Sequence, residues 1–220
     1  LFPEKKSLRP RKIPRRRYKL EINASLVKEL RERTGVGMMD CKKALLESGG
    51  DLQSAIDYLR KKGIATAKKR GGRVTSEGLV QAYIHGGGKI GVLVEVNSET
   101  DFSAKTNDFS EFVKNIAMQI AATNPIAVDR VGIPPHILEK EKEIYMTQAR
   151  ESGKPEKVWD KMVEGRLKKF YSEACLLEQP FVKNPDITVQ DLLNELMAKT
   201  GENIVIRRFV RYQLGESDDR

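Results

Sequence analysis

The stretch Lys89-Ile90-Gly91-Val92-Leu93-Val94-Glu95-Val96-Asn97-Ser98-Glu99-Thr100-Asp101-Phe102 decides how the chain folds. A short apolar run rich in β-branched residues, entered through Gly86-Gly87-Gly88, reads as a buried strand leaving a tight hairpin. Gly78 to His85 supplies the strand before it, and His85 falls at the hairpin tip, where a solvated turn residue is the ordinary reading. After the strand come two acids and a phenylalanine in a polar loop, carried by a rigid scaffold. Two readings of Phe102 stand side by side. An aromatic ring of this kind folds back into the core more often than not. An exposed ring beside a carboxylate is instead what a protein-binding hot spot requires, because rigid rings dominate interface energetics and a carboxylate competes for a partner's polar contacts.

Working toward the N-terminus, Ala65 to Ser76 is small, basic and glycine-bearing, and reads as a linker. Before it, Asn23 to Gly63 reads as three short helices. Asn23 caps a first helix ended by Thr34-Gly35, a second runs from about Met38 to Glu47, and Asp51 caps a third stopped by Gly63. Working toward the C-terminus, an amphipathic helix over Asn107 to Ala122 places Phe109, Phe112, Val113, Ile116 and Ile120 on one face. Pro134-Pro135 and Lys154-Pro155 each open a charged helix, using proline where the first turn tolerates it. Thr188 with Asp191 resembles a capping box for a last helix stopped by Gly201. Asn203 to Leu214 sets Val205 and Phe209 against Arg207 and Arg211, as in a half-buried strand. The expected domains are a basic extension over 1–22, a three-helix module over 23–64, the linker 65–76, an α+β core over 77–215 with helices covering a small antiparallel sheet, and a tail over 216–220.

Charge is distributed unevenly. The net charge is +9, and residues 1 to 20 hold nine lysines and arginines against Glu4 alone, so this arm carries +8 of it. With Pro3, Pro10 and Pro14 and few apolar residues it is expected to be disordered alone. Arg15, Arg16 and Arg17 lie at its centre. Three readings are open: an RNA-phosphate grip, the remnant of an organelle-targeting segment, and a passive solvated tail.

Several chemistries find no support. No segment approaches the roughly 18 uninterrupted apolar residues of a membrane helix. Cys41 and Cys175 have no metal-ligand spacing, and a reducing compartment fits them. Gly86-Gly87-Gly88-Lys89 lacks the Ser or Thr and the following helix of a phosphate loop. Neither His85 nor His136 has a nearby ligand or nucleophile cluster, so no metal, cofactor or catalytic residue is expected.

Dispersed segments, in order, resemble one family. Leu26 to Gly35, Gly37-Met38-Met39-Asp40-Cys41-Lys42-Lys43-Ala44-Leu45, Glu99-Thr100-Asp101-Phe102, Glu164-Gly165-Arg166, Gln179-Pro180-Phe181, Gly201-Glu202-Asn203-Ile204 and Arg207-Arg208-Phe209 are similar to translation elongation factor Ts. The likeness spans about residues 23 to 215, in the short-core form of cyanobacterial, plastid and some bacterial members. It implies a guanine-nucleotide exchange factor for elongation factor Tu, not an enzyme. The helical module would be similar to ubiquitin-associated domains, with Met38, Met39 and Lys42 matching the stretch that contacts the GTPase. Asp101 and Phe102 match the acid and aromatic that push against its magnesium and phosphate site, Phe102 as apolar wedge and Asp101 as polar disruptor. Tyr83-Ile84-His85-Gly86 is similar to the family's histidine turn, which makes His85 a partner contact. Ser98 stands where a cysteine is common, a change expected to be tolerated. The resemblance favours a plastid stroma, with a bacterial cytoplasm or a mitochondrion as alternatives. A homodimer and a ribosome or RNA contact through the arm stay open as further partners.

Overall fold

The computed structural model describes residues 22–216. It is α+β, and it divides into two compact units, the first ending at Ile56 and the second beginning at Asp57.

In the first unit α1 (Ala24–Thr34) starts where the Asn23 side chain accepts the Ser25 N–H at 3.1 Å, and ends at Gly35 in the left-handed region. Helix α2 (Met38–Glu47) follows. Val27 and Leu30 from α1 and Cys41, Ala44 and Leu45 from α2 are buried. Helix α3 (Leu52–Arg70) begins with Asp51 accepting the Ser54 N–H.

Gly63 does not stop α3, which continues to Arg70 through much of the segment expected to be linker. The glycine serves packing instead. A Cβ there would sit 3.2 Å from that of Ala198, so its absence lets α3 approach α8 (Val189–Thr200) closely. Arg60 reaches Asp191 of the same helix at 3.1 Å.

The second unit is built on a three-stranded antiparallel sheet in the order β1 (Glu77–His85), β2 (Ile90–Ser98), β5 (Ile204–Gln213). Among the described residues only one of its faces is covered. Val92, Val94 and Val96 of β2 pack against α5 (Asn107–Thr123), whose Phe109, Phe112, Val113, Ile116 and Ile120 are all buried, and against Leu193, Leu196 and Met197 of α8. Strand β2 is therefore half-buried, not buried on both sides as its apolar run suggests. Leu93 is 48% exposed on the open face.

Strand β5 departs from the expected alternation. Glu95 pairs with Arg208 but Val96 pairs with Ile206, so Arg207 is an extra residue in a bulge. The inward set is Ile204 and Ile206 before the bulge and Phe209 and Arg211 after it. Arg211 is buried with its guanidinium satisfied by the Ala121 carbonyl, Gln213 and Glu216.

Helices α6 (Pro135–Glu151) and α7 (Trp159–Ala174) form a hairpin. A two-stranded ribbon, β3 (Pro180–Phe181) with β4 (Asn184–Thr188), precedes α8 and has no counterpart among the sequence expectations. Buried Gln119 of α5 holds it, donating to the Pro180 carbonyl and accepting the Val182 N–H at 2.8 Å. The Thr188–Asp191 capping box is present at the start of α8. Among the described residues no helix is long and apolar enough to cross a membrane.

Candidate partner interface

The decisive side chain is Phe102. It is 88% exposed, which settles the choice between core and surface. Residues 101–104 are not a loop, as expected from their polarity, but a single helical turn, α4 (Asp101–Ala104), capped by the Thr100 side chain. That turn has two sides. Ser103 and Ala104 are buried and anchor it, while Asp101 and Phe102 face solvent.

A network of polar contacts fixes where the turn sits. Glu202, just after α8, accepts the Thr100 hydroxyl at 2.6 Å and the Thr100 N–H at 3.1 Å. The neighbouring Glu99 carboxylate accepts the Asn203 N–H at 2.6 Å and meets Arg73 at 3.3 Å, and the Asn203 amide donates to the Arg73 carbonyl. The Asn203 N–H, then Arg73, hold the Glu99 carboxyl below its ordinary range. Buried Ser98 donates to the Thr100 carbonyl at 2.9 Å, so its hydroxyl is satisfied. Sequence reading passed over Glu202, Asn203 and Arg73 as contributors to the site. The hints were the place of Glu202 and Asn203 in the resemblance segment Gly201-Glu202-Asn203-Ile204 and that of Arg73 beside Gly72.

Asp101 is paired with Lys105 one turn later, and the pairing raises the Lys105 pKa. Both side chains are solvent-exposed, so a partner can exchange with either at little cost.

His85 ends β1, exposed, with its ring stacked on Tyr83 at 5.9 Å and its Nδ1 3.0 Å from the Tyr83 hydroxyl. That contact orients the imidazole. His85 pairs with Ile90, at the opposite end of the hairpin from Ser98, so the length of β2 separates it from the Phe102 turn, about 27 Å at the usual rise per residue. The structure therefore does not bring His85 together with Asp101 and Phe102; they are two poles of one sheet.

In the first unit, Met38 and Met39 are 52% and 77% exposed in the first turn of α2, and Lys42 is exposed one turn on. Flexible, polarisable methionines at an exposed helix start suit an adaptable contact. Arg15, Arg16 and Arg17 lie outside the described residues.

Exposed apolar and charged groups stand at separate points of the surface, the arrangement characteristic of proteins that dock onto other macromolecules. The comparisons with known proteins then give the lineage. The family described as elongation factor TS matches residues 66–216. The chain is 66% identical over 195 residues to elongation factor Ts of Moorella thermoacetica, covering 89% of this chain and 96% of the relative. It is 61% identical to that of Syntrophobacter fumaroxidans, covering 89% and 98%, and 63% identical to that of Carboxydothermus hydrogenoformans, covering 89% and 90%. The chain belongs to the elongation factor Ts family. These relatives are bacterial, and they lend no support to the expected plastid setting.

Proposed function

We propose that this chain is a guanine-nucleotide exchange factor for elongation factor Tu, acting in translation elongation in a bacterial cytoplasm by binding and without chemistry of its own. The observation that carries the reading is Phe102, a large apolar ring held in solvent on a clamped helical turn. A GTPase retains GDP through backbone donors around its phosphates and a coordinated magnesium ion. A protein that binds the empty GTPase more tightly than the GDP form must weaken GDP by the same factor. Acceleration further requires a ternary complex, in which Phe102 displaces the phosphate cradle and Asp101 competes for its polar groups while GDP is still bound. Met38, Met39 and Lys42 of α2 supply one grip, and His85 another. Stopped-flow release of a fluorescent GDP from Tu, with and without this protein, tests it. Acceleration that saturates with protein concentration is expected; no acceleration overturns the assignment.

The open face of the sheet favours a homodimer as well. Ala82, Leu93 and Val210 form one cross-strand row, and Ile84, Gly91 and Tyr212 the next. Val80, Ile84 and Tyr212 are each about two-thirds exposed. The Arg208–Glu95 ion pair at the edge of this patch has both signs needed to pair with a two-fold copy of itself. Sedimentation equilibrium should report a dimer that Leu93→Lys dissociates. The arm's concentrated charge favours an additional RNA contact, which should weaken steeply with salt and disappear on removing residues 1 to 20, while GDP exchange survives.

A further inference from the structure

Two glycines lie inside helices of eight or more residues among the described residues, and those residues explain only one of them. Gly63 makes room for Ala198. Gly165, in the middle of α7, has nothing within 4 Å of where its Cβ would stand. Glycine weakens a helix interior relative to alanine, and here alanine would meet no obstacle. A bare backbone on an exposed helix face permits close approach from outside.

The surroundings say what approaches. Gly165 lies in an open groove of about 420 Å³ with Arg130, Lys161, Glu164, Lys168 and Tyr171 among its walls. One wall is already built, since Arg130 grips Glu178 through two hydrogen bonds of 2.6 and 2.7 Å and lies over the Tyr171 ring at 4.3 Å. Lys161 and Lys168 stand one turn before and one turn after Gly165, and neither forms an ion pair among the described residues. Their separation along the helix is about 10.5 Å, two turns, which is also the spacing of side chains seven apart on a facing helix.

Charge narrows the occupant. A second copy crossing antiparallel at Gly165 would set Lys161 against Lys168, like against like. A nucleic-acid strand calls for a uniformly positive track, whereas Arg130 is neutralised by Glu178 and Glu164 flanks the glycine. We propose that the α7 face centred on Gly165 docks an acidic α-helix of a partner protein, its backbone seated against Gly165 and its carboxylates reaching Lys161 and Lys168. This surface is independent of the Phe102 turn and of the exchange reading.

The test uses the isotope-labelled full chain in NMR titrations. The probes are an alanine-rich helical peptide with two glutamates about seven residues apart, the same peptide with lysines in their place, and a short single-stranded RNA. Amide shifts confined to α7 around Lys161, Gly165 and Lys168 are expected with the glutamate peptide and not with the lysine peptide. Gly165→Leu should raise the melting temperature, because it replaces a helix glycine, while weakening the glutamate peptide by about tenfold or more. No shift up to millimolar peptide, equal response to the lysine peptide, stronger response to RNA, or unchanged binding by Gly165→Leu would each overturn the proposal.

Discussion

The carboxylate of Glu202 takes both donors of Thr100, the hydroxyl at 2.6 Å and the backbone N–H at 3.1 Å, across 102 residues of sequence. The Thr100 oxygen in turn caps α4 by accepting the Ser103 N–H. The turn that presents Phe102 is thus tied to the end of α8. Charge-assisted bonds of this kind contribute about 1.5 to 3 kcal/mol where well formed, and less where solvent reaches them. Glu202→Ala should therefore cost about 1 to 2 kcal/mol of stability. Loss of positioning should slow GDP release from Tu by about tenfold. Thermal melts and stopped-flow release, run on the same preparation, check the two effects together. A normal exchange rate would mean the clamp does not position the wedge.

The two poles of the sheet should separate kinetically. His85 stands about 27 Å from the Phe102 turn, too far for both to act on one group. His85→Ala is expected to raise the concentration for half-maximal exchange by about tenfold while the saturating rate holds. The concentration dependence of the release rate distinguishes this from a change in the saturating rate itself, which would place His85 in the disruption step.

Much of this architecture is legible in the sequence, because its signals are local. Asn23, Gly35, Gly201 and the Thr188–Asp191 box mark helix ends through contacts within a few residues, and the three glycines after His85 mark the hairpin. Most of the failures are non-local, the α4 turn capped by Thr100 being the local one. A single extra residue at Arg207 reverses which side chains of β5 face inward; a strict two-residue period would instead put Val205, Arg207, Phe209 and Arg211 on one face, so the expected opposition of Val205 and Phe209 to Arg207 and Arg211 does not hold. Gly63 reads as a stop because its partner, Ala198, is far along the chain. For Phe102 the local sequence leaves core and interface both open, and the resemblance tips the reading toward a partner contact. Its exposure depends on Ser103 and Ala104 turning inward and on Glu202, which no spacing rule connects to it.

Ser103 carries a buried hydroxyl with no hydrogen-bond partner among the described residues, and the residue is only 4% exposed. An unsatisfied buried polar group is a liability that its removal relieves. Ser103→Ala should stabilise the protein by up to about 1 kcal/mol. That corresponds to a rise in melting temperature of about 2 to 4 °C for a chain of this size. Calorimetry is the check, and a clear drop in melting temperature would show that the hydroxyl is used.

Acid should weaken the second unit through Glu178. Its two bonds from Arg130 hold the carboxyl below the ordinary 4.5. A carboxylate whose folded pKa is depressed stabilises the protein above its unfolded pKa, and that contribution is lost as pH falls through the folded value. Glu178→Gln should therefore be less stable than the parent at neutral pH, and the gap should close as pH falls below the ordinary 4.5. Denaturant melts across that range follow it. A gap that widens in acid would reverse the sign and refute the pairing as its source.

The role of Phe102 rests on a ring that the fold exposes and does not use. Its truncation should leave folding intact and act only on the partner. The most direct measurement is the saturating rate of fluorescent GDP release from Tu with the parent chain and with Phe102→Ala, both at concentrations well above half-saturation. A fall of about tenfold or more, with an unchanged melting temperature, is expected if the ring acts before GDP leaves. An unchanged saturating rate would contradict it.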